Sequence, residues 1–233
     1  MIDWHSHVLP GIDDGSRDVA ESVALIGMQA SQGITTVVAT PHFDADAEST
    51  EHFLDRRQQA FESLKPALPD GSPEIVLGAE VRYYPGISHL AELKGLRIAG
   101  TKLLLLEMPG AVWTESTVGE LVELSGKGGI QIVLAHVERY FGFQKRATVQ
   151  RLYDAGILMQ SNASYFNSFL SGRKAIAALR NGEIQFVGSD CHNLTSRPPQ
   201  IGKAYETIRK KLGDEFISQM DEYGSSLLAT IKN

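Results

Sequence analysis

His5 and His7 stand two residues apart at the end of the N-terminal run Met1-Ile-Asp-Trp-His5-Ser-His7. On a strand, residues two apart share a face. Both imidazoles can therefore converge on one point, as ligands of a divalent transition metal do. Residues of the same chemical kind recur at the ends of later apolar runs. His42 follows Val37-Val-Ala-Thr-Pro41, Glu80 follows Ile75-Val-Leu-Gly-Ala79, and Glu107 follows four leucines. His136 follows Ile132-Val-Leu-Ala135, and Asp190 and His192, again two apart, follow Phe186-Val-Gly-Ser189. Asp13 and Asp14 lie in the segment after the first run. Five of the seven histidines fit this pattern, and only His52 and His89 do not.

One histidine after a strand is usually just a hydrogen-bonded residue, and one strand-end acid a cap or an ion-pair partner. The coincidence across six strand ends carries the weight. Several carboxylates at one rim repel one another, and cations remove that repulsion. Nine candidates (His5, His7, Asp14, His42, Glu80, Glu107, His136, Asp190 and His192) exceed the three or four protein ligands of one tetrahedral zinc. Two or three divalent ions bridged by carboxylates fit better. Mixed imidazole and oxygen ligation suits manganese, iron or zinc, and cobalt is compatible with it. Closely spaced ions are suited to displacement at phosphorus. Arg139 and Arg197 fall in the loops after two of these runs, where a guanidinium can pair bidentately with a phosphoryl group. The bland alternative is a structural ion pair, for example between Arg139 and Glu138.

Cys191 and Arg197 spell Cys-x5-Arg, a pattern used by thiol-dependent phosphatases. That chemistry needs a thiolate in a loop whose backbone N–H groups cradle phosphate. Here the five intervening residues contain no glycine, and Pro198 and Pro199 remove two donors. A small packed side chain is the favoured role for Cys191.

The elements that must position these residues alternate between apolar runs and amphipathic stretches, the pattern of a parallel α/β protein. The runs predict strands near 1–6, 34–40, 74–80, 102–107, 130–135, 157–161 and 185–189. Helices are predicted near 18–32, 50–66, 115–128, 144–155, 171–181, 198–212 and 213–231, with longer loops at 41–50 and 162–170. Asp18, with Glu21 three residues on, caps the first helix, and Val19, Val23, Ile26 and Ala30 recur on one face. Gly33, Gly156 and Gly182 each punctuate a helix-to-strand step. Seven strand–helix units predict a distorted (β/α)7 TIM-like barrel, whose C-terminal strand ends form one mouth.

The chain has 233 residues, 42% of them hydrophobic, enough for one core, and a single domain over 1–233 is expected. A net charge of −6 with no basic run argues against a nucleic-acid surface and against nuclease activity. The single cysteine excludes an internal disulfide and suits a reducing compartment. The N-terminus does not have the form of a signal peptide, and no apolar run is long enough for a membrane span. A cytoplasmic protein is expected.

Together these residues resemble the PHP (polymerase and histidinol phosphatase) superfamily, and within it the manganese-dependent protein tyrosine phosphatases encoded with bacterial capsule and exopolysaccharide genes. The resemblance runs from residue 1 to about 210. It is carried by Met1 to His7, Pro10-Gly-Ile-Asp-Asp14-Gly15, Gly33-Ile-Thr-Thr-Val, Thr40-Pro-His42 and Gly78-Ala-Glu80. It continues through the leucine run into Glu107, Ala135-His136-Val-Glu-Arg139-Tyr140 and Ser189-Asp-Cys-His-Asn193 with Arg197-Pro-Pro199. The family pattern implies one ion on His5, His7, Glu80 and Asp190, a second on Glu80, Glu107 and His136, and a third on Asp14, His42 and His192. It implies catalytic roles for Arg139, His42 and His192, with Arg139 and Arg197 toward the phosphate. The implied activity is hydrolysis of phosphotyrosine by a metal-bound hydroxide, with the tail of a bacterial tyrosine autokinase as the expected partner. A small-molecule phosphatase such as a histidinol phosphatase is the alternative enzyme. A non-catalytic metal-stabilised regulator would show gaps among the ligands, and the sequence shows none.

Overall fold

The apolar runs become short parallel strands, and the amphipathic stretches become the helices around them. The computed structural model describes residues 1–89, 92–126, 129–168 and 170–229. The strands are β1 (Ile2–Ser6), β2 (Thr36–Ala39), β3 (His42–Phe43), β4 (Glu74–Leu77), β5 (Glu80–Arg82), β6 (Leu103–Glu107), β7 (Gln131–Leu134), β8 (Leu158–Asn162) and β9 (Phe186–Gly188). The helices are α1 (Val19–Ser31), α2 (Thr50–Leu64), α3 (Leu93–Leu96), α4 (Glu115–Gly126), α5 (Arg146–Asp154), α6 (Ala163–Asn167), α7 (Gly172–Arg180), α8 (Ile201–Leu212) and α9 (Asp214–Ala229). The predicted helix ends at 127–128 and 230–231 lie outside the described residues, as does position 169 of the predicted loop.

Every strand pairing is parallel, in two sheets ordered β1-β2-β4 and β3-β5-β6-β7-β8-β9. The result is an α/β fold built on a parallel-strand half-barrel. The expected seven strands become nine because the predicted run 74–80 breaks and the predicted loop 41–50 holds a short strand. Pro41, which has no N–H to donate, separates β2 from β3, and Gly78-Ala79 separates β4 from β5. No continuous ladder closes the described strands into one seven-stranded barrel. The sheets meet instead through backbone bonds from Asp190 N–H to His5 carbonyl (2.8 Å) and from His7 N–H to Cys191 carbonyl (3.0 Å). Two predicted loops are also corrected: 41–50 contains β3, and 162–170 contains α6.

Asp18 caps α1 by accepting from Glu21 N–H at 2.9 Å, as expected. The buried face of α1 differs from the predicted one. It carries Ser22, Leu25, Ile26 and Gln29, while Ala30 is exposed and Val19 and Val23 are half-buried. The polar members are buried because they are bonded: Gln29 donates to Asp3 at 2.6 Å, and Ser22 pairs with Ser16 at 2.8 Å. Gly33, Gly156 and Gly182 all take positive φ after their helices.

The strands bury both faces. Leu104 and Leu106 join the helix-facing core, whereas Leu103 and Leu105 join a smaller inner cluster with Trp4, Val38, Val133 and Phe186. Helix α9 covers that inner cluster, with Leu227 and Leu228 packed on it and Tyr223 stacked on Phe186. Gly224 lets the helix approach, since a Cβ there would stand 2.8 Å from the Trp4 ring. The C-terminal helix thus closes the apolar end of the strands, and the opposite end stays polar.

Candidate metal centre

Strand β1 aims the first pair of histidines with a bulge. Its register against β2 shifts between Asp3 and Ser6, which inserts one extra residue. Strict alternation would place His5 on the face opposite Ile2 and Trp4. Both of those residues belong to the inner cluster, while Asp3 bonds outward to Gln29 of α1. After the bulge His5 also faces inward, where it meets Gln160 and Glu80. Gly188 of β9 makes room, because a Cβ there would stand 2.5 Å from that of His5.

All nine predicted donors come together in one connected cluster. His5 Nε2 and His7 Nε2 are 3.1 Å apart and lie 3.2 and 3.3 Å from Glu80 Oε2. The same two nitrogens lie 3.7 and 3.5 Å from Asp190 Oδ1. His42 Nδ1 is 3.0 Å from Glu80 Oε2, and His136 Nε2 is 2.8 Å from Glu80 Oε1 and 3.4 Å from Glu107 Oε1. Asp14 Oδ1 stands 3.4 Å from both His42 Nε2 and His192 Nε2. Three compact donor groups result: His5, His7 and Asp190; His42, Glu80 and Glu107; and His7, Asp14, His42 and His192. Most of these side chains are buried, and Asp14 is exposed at the rim.

The chemistry of the donor atoms fits cations. His5 Nδ1 lies 3.1 Å from the Gln160 side-chain carbonyl, which also accepts from His136 N–H at 2.7 Å. His7 Nδ1 donates to Asp13 at 2.7 Å, and His192 Nδ1 to the Asp190 backbone carbonyl at 3.0 Å. With Nδ1 committed to donation, Nε2 of each ring faces the carboxylates with its lone pair. His192 Nε2 and Glu80 Oε2 are buried without a hydrogen bond. Glu80 Oε2 has three imidazole nitrogens within 3.3 Å and bonds to none of them. Atoms this close without hydrogen-bond geometry are aimed at common points between them, as ligands of shared cations are.

The electrostatics agree. Burial would push the His7 pKa down, but Asp13 and Glu80 overcome that and hold it up at about 10. Burial likewise opposes charge on His136, and Glu107 and Glu80 raise it to about 9. Burial would raise the Asp13 carboxyl, yet His7 holds it down at about 2. Glu80 is held well below the usual range by the surrounding imidazoles against its own desolvation. His192 is pushed down to about 4 by burial and by the charge of His7. The carboxylates demand positive charge among the imidazoles, a demand that protons or divalent cations can meet.

Two donors sit on strained backbone. His136 and Asp190 take φ of 33° and 52°, the only positive values at non-glycine positions among the described residues. Such conformations cost about 1–3 kcal/mol each and persist where the surroundings dictate them.

Both predicted arginines reach the cluster, bound to the same partner. Arg139 Nη2 donates to Asp190 Oδ2 at 2.6 Å, and Arg197 Nη2 to Asp190 Oδ1 at 2.8 Å. The alternative reading, a structural ion pair, is met through Asp190 and not Glu138, because Glu138 instead accepts from Ser161 and from Asn162 N–H. Cys191 is fully buried, receives a 3.7 Å contact from Gln29, and has its thiol pushed far up by desolvation. Burial disfavours its thiolate.

Sequence reasoning missed Gln160 and Asn162. Gln160 orients His5 and His136, and Asn162 donates to Asp190 at 2.7 Å. They stand two apart at the end of β8, the same spacing that marks His5 and His7. Tyr140 also supports the site. Its oxygen accepts from Met108 N–H at 2.9 Å and lies 3.2 Å from His136 Nδ1.

A family model described as capsular polysaccharide synthesis, CpsB/CapC, matches residues 1–225. The tyrosine-protein phosphatase YwqE of Bacillus subtilis is 30% identical, over 98% of this chain and 91% of that protein. The tyrosine-protein phosphatase CpsB of Streptococcus pneumoniae is 30% identical over 91% of both. A crystal structure from work on YwqE and CpsB, described as unique metal-dependent tyrosine phosphatases, matches with a TM-score of 0.82 at 26% identity, covering 99% of this chain and 95% of that one. A histidinol phosphate phosphatase from Lactococcus lactis, complexed with zinc, L-histidinol and phosphate, matches at a TM-score of 0.51 and 13% identity, over 90% of this chain and 92% of that one. That last likeness is one of fold.

Proposed function

The chain belongs to the capsular polysaccharide synthesis CpsB/CapC family, and from that premise we propose that it is a metal-dependent protein tyrosine phosphatase whose centre is the nine-donor cluster. The observation that carries the reading is Glu80 Oε2, buried, unbonded and within 3.3 Å of three imidazole nitrogens. His5, His7, Glu80 and Asp190 would hold one ion, and Glu80, Glu107 and His136 a second. Asp14, His42 and His192 would hold the third, toward the rim. Manganese is the metal we propose, since mixed imidazole and carboxylate ligation suits it. When bound, such ions supply Lewis acidity toward phosphoryl oxygens and a water acidic enough to serve as nucleophile near neutral pH.

The protein's own residues do the rest. Gln160, Asp13 and the Asp190 carbonyl fix the orientation of His5, His7 and His192, so their Nε2 atoms stay presented. Arg139 and Arg197 neutralise the Asp190 carboxylate and keep further N–H groups available to phosphate oxygens. Burial of the donors excludes bulk water from all but the rim.

The substrate we infer is the tyrosine-bearing tail of a polysaccharide-synthesis kinase, encountered in the cytoplasm. The family supports this assignment, as does a chain whose single cysteine needs no oxidising compartment. No described helix is long and apolar enough to cross a membrane. We read residues 1–233 as one phosphatase domain and its two sheets as a distorted (β/α)7 barrel, which the backbone bonds of Asp190 and Cys191, just past β9, to His5 and His7 support. The direct test compares turnover of a phosphotyrosine peptide with that of histidinol phosphate on one preparation. Preference for the peptide is expected, and preference for histidinol phosphate would overturn the assignment.

A further inference from the structure

Two cavities share walls with the nine-donor cluster, and they differ in size and lining. One, about 180 Å³, is ringed by Arg139, Asn162, Ser164, Asp190, Ser196 and Arg197. Its volume falls below the roughly 300 Å³ at which small-molecule pockets begin, and two guanidiniums stand in its lining. The other, about 490 Å³, has His42 and Glu107 at its inner end and Phe43, Tyr83, Met108 and Pro109 in its walls. Asp44 and Arg82 pair at 2.8 Å on its lip, where the Arg82 side chain is largely exposed. A third cavity, about 1050 Å³, lies beside α5 and α7 and touches none of the nine donors.

A phosphomonoester reacting at the cluster must send its leaving group somewhere. The smaller cavity offers two guanidiniums and hydroxyl groups, which suit oxyanions. The larger one offers the half-buried Tyr83 ring, and such a ring contacts aryl groups favourably. It also opens at a charged lip, so one side chain can enter while the peptide stays outside. Resting on the phosphatase reading above, we propose that the cavity walled by Phe43, Tyr83, Met108 and Pro109 seats the aryl ring of the substrate tyrosine. Tyr83 then determines specificity for aryl over alkyl phosphomonoesters.

Gly110, at the edge of this cavity, gives a clean handle. A Cβ there would meet no atom within 4 Å, so the backbone accepts a side chain at this position. The experiment measures inhibition by phenylphosphonate and methylphosphonate in the manganese-loaded wild type and in the Gly110→Phe and Tyr83→Ala variants. The wild type should bind the phenyl compound about tenfold or more tighter than the methyl compound. Gly110→Phe should block the seat and Tyr83→Ala should remove a wall, so both should erode that ratio while methylphosphonate binds as before. Metal content, counted in parallel, should equal that of the wild type. An unchanged ratio in both variants, in an enzyme that still hydrolyses phosphotyrosine, overturns the seat alone. A wild type that leaves phosphotyrosine intact overturns the seat and the phosphatase reading together.

Discussion

The two ends of the same strands are built on opposite terms. At one end Trp4, Leu103, Leu105 and Phe186 pack into a dry cluster closed by α9, with no charge to satisfy. At the other, nine donors crowd together with two orphaned atoms, two left-handed backbones and carboxylates that need cations. The apolar end makes the fold stable. The polar end is costly by itself, and it persists because stability gained elsewhere holds the donors in place. Change at the apolar end should therefore alter stability with the chemistry intact, and change at the mouth should do the reverse.

The sharpest way to break this contrast is at Glu80, which touches all three donor groups. Glu80→Gln should lower phosphotyrosine turnover by several orders of magnitude and reduce bound metal. The chelated variant should melt within a few degrees of chelated wild type, as calorimetry can check. A collapse in melting temperature would mean that Glu80 is chiefly structural. The converse substitution is Phe186→Ala. It should cost about 3–5 kcal/mol in a denaturant titration. Metal bound per folded chain should stay unchanged, and a lost ion would mean that the two ends are coupled. Gln160→Leu should produce an intermediate effect. It removes the carbonyl that orients His5 and His136, so metal affinity should fall by about 10–100-fold in a competition titration. Cys191→Ser should have the smallest effect, leaving most activity in place. The native thiol should resist thiol reagents until the chain unfolds. Complete inactivation by that substitution would return thiol chemistry to consideration.

What could be read from the sequence follows the same division. Eight of the nine candidate donors were legible because each ends or follows an apolar run, and apolar runs mark strands, whereas Asp14 lies in the loop after the first. The convergence of those eight needed only parallel strands sharing one rim. The bulge in β1 was not legible, since alternation from Ile2 and Trp4 assigns His5 to the wrong face. Nor was the buried face of α1, because Ser22 and Gln29 look like surface residues until Ser16 and Asp3 are seen to bond them. The seven predicted strands became nine through the break at Gly78-Ala79 and the two-residue strand after Pro41, both too local for a count of apolar runs. Gln160 and Asn162 were written as strand end and loop because neutral amides carry no metal signature. Their two-residue spacing was the only available signal.

The central claim is that the polar mouth works only when its carboxylates and imidazoles share divalent cations. It is tested most directly by stripping the enzyme with a chelator, assaying phosphotyrosine-peptide hydrolysis, restoring Mn²⁺, and counting bound ions in the same sample. Activity should vanish and return in step with two or three ions per chain. Full turnover by the stripped enzyme would contradict the account.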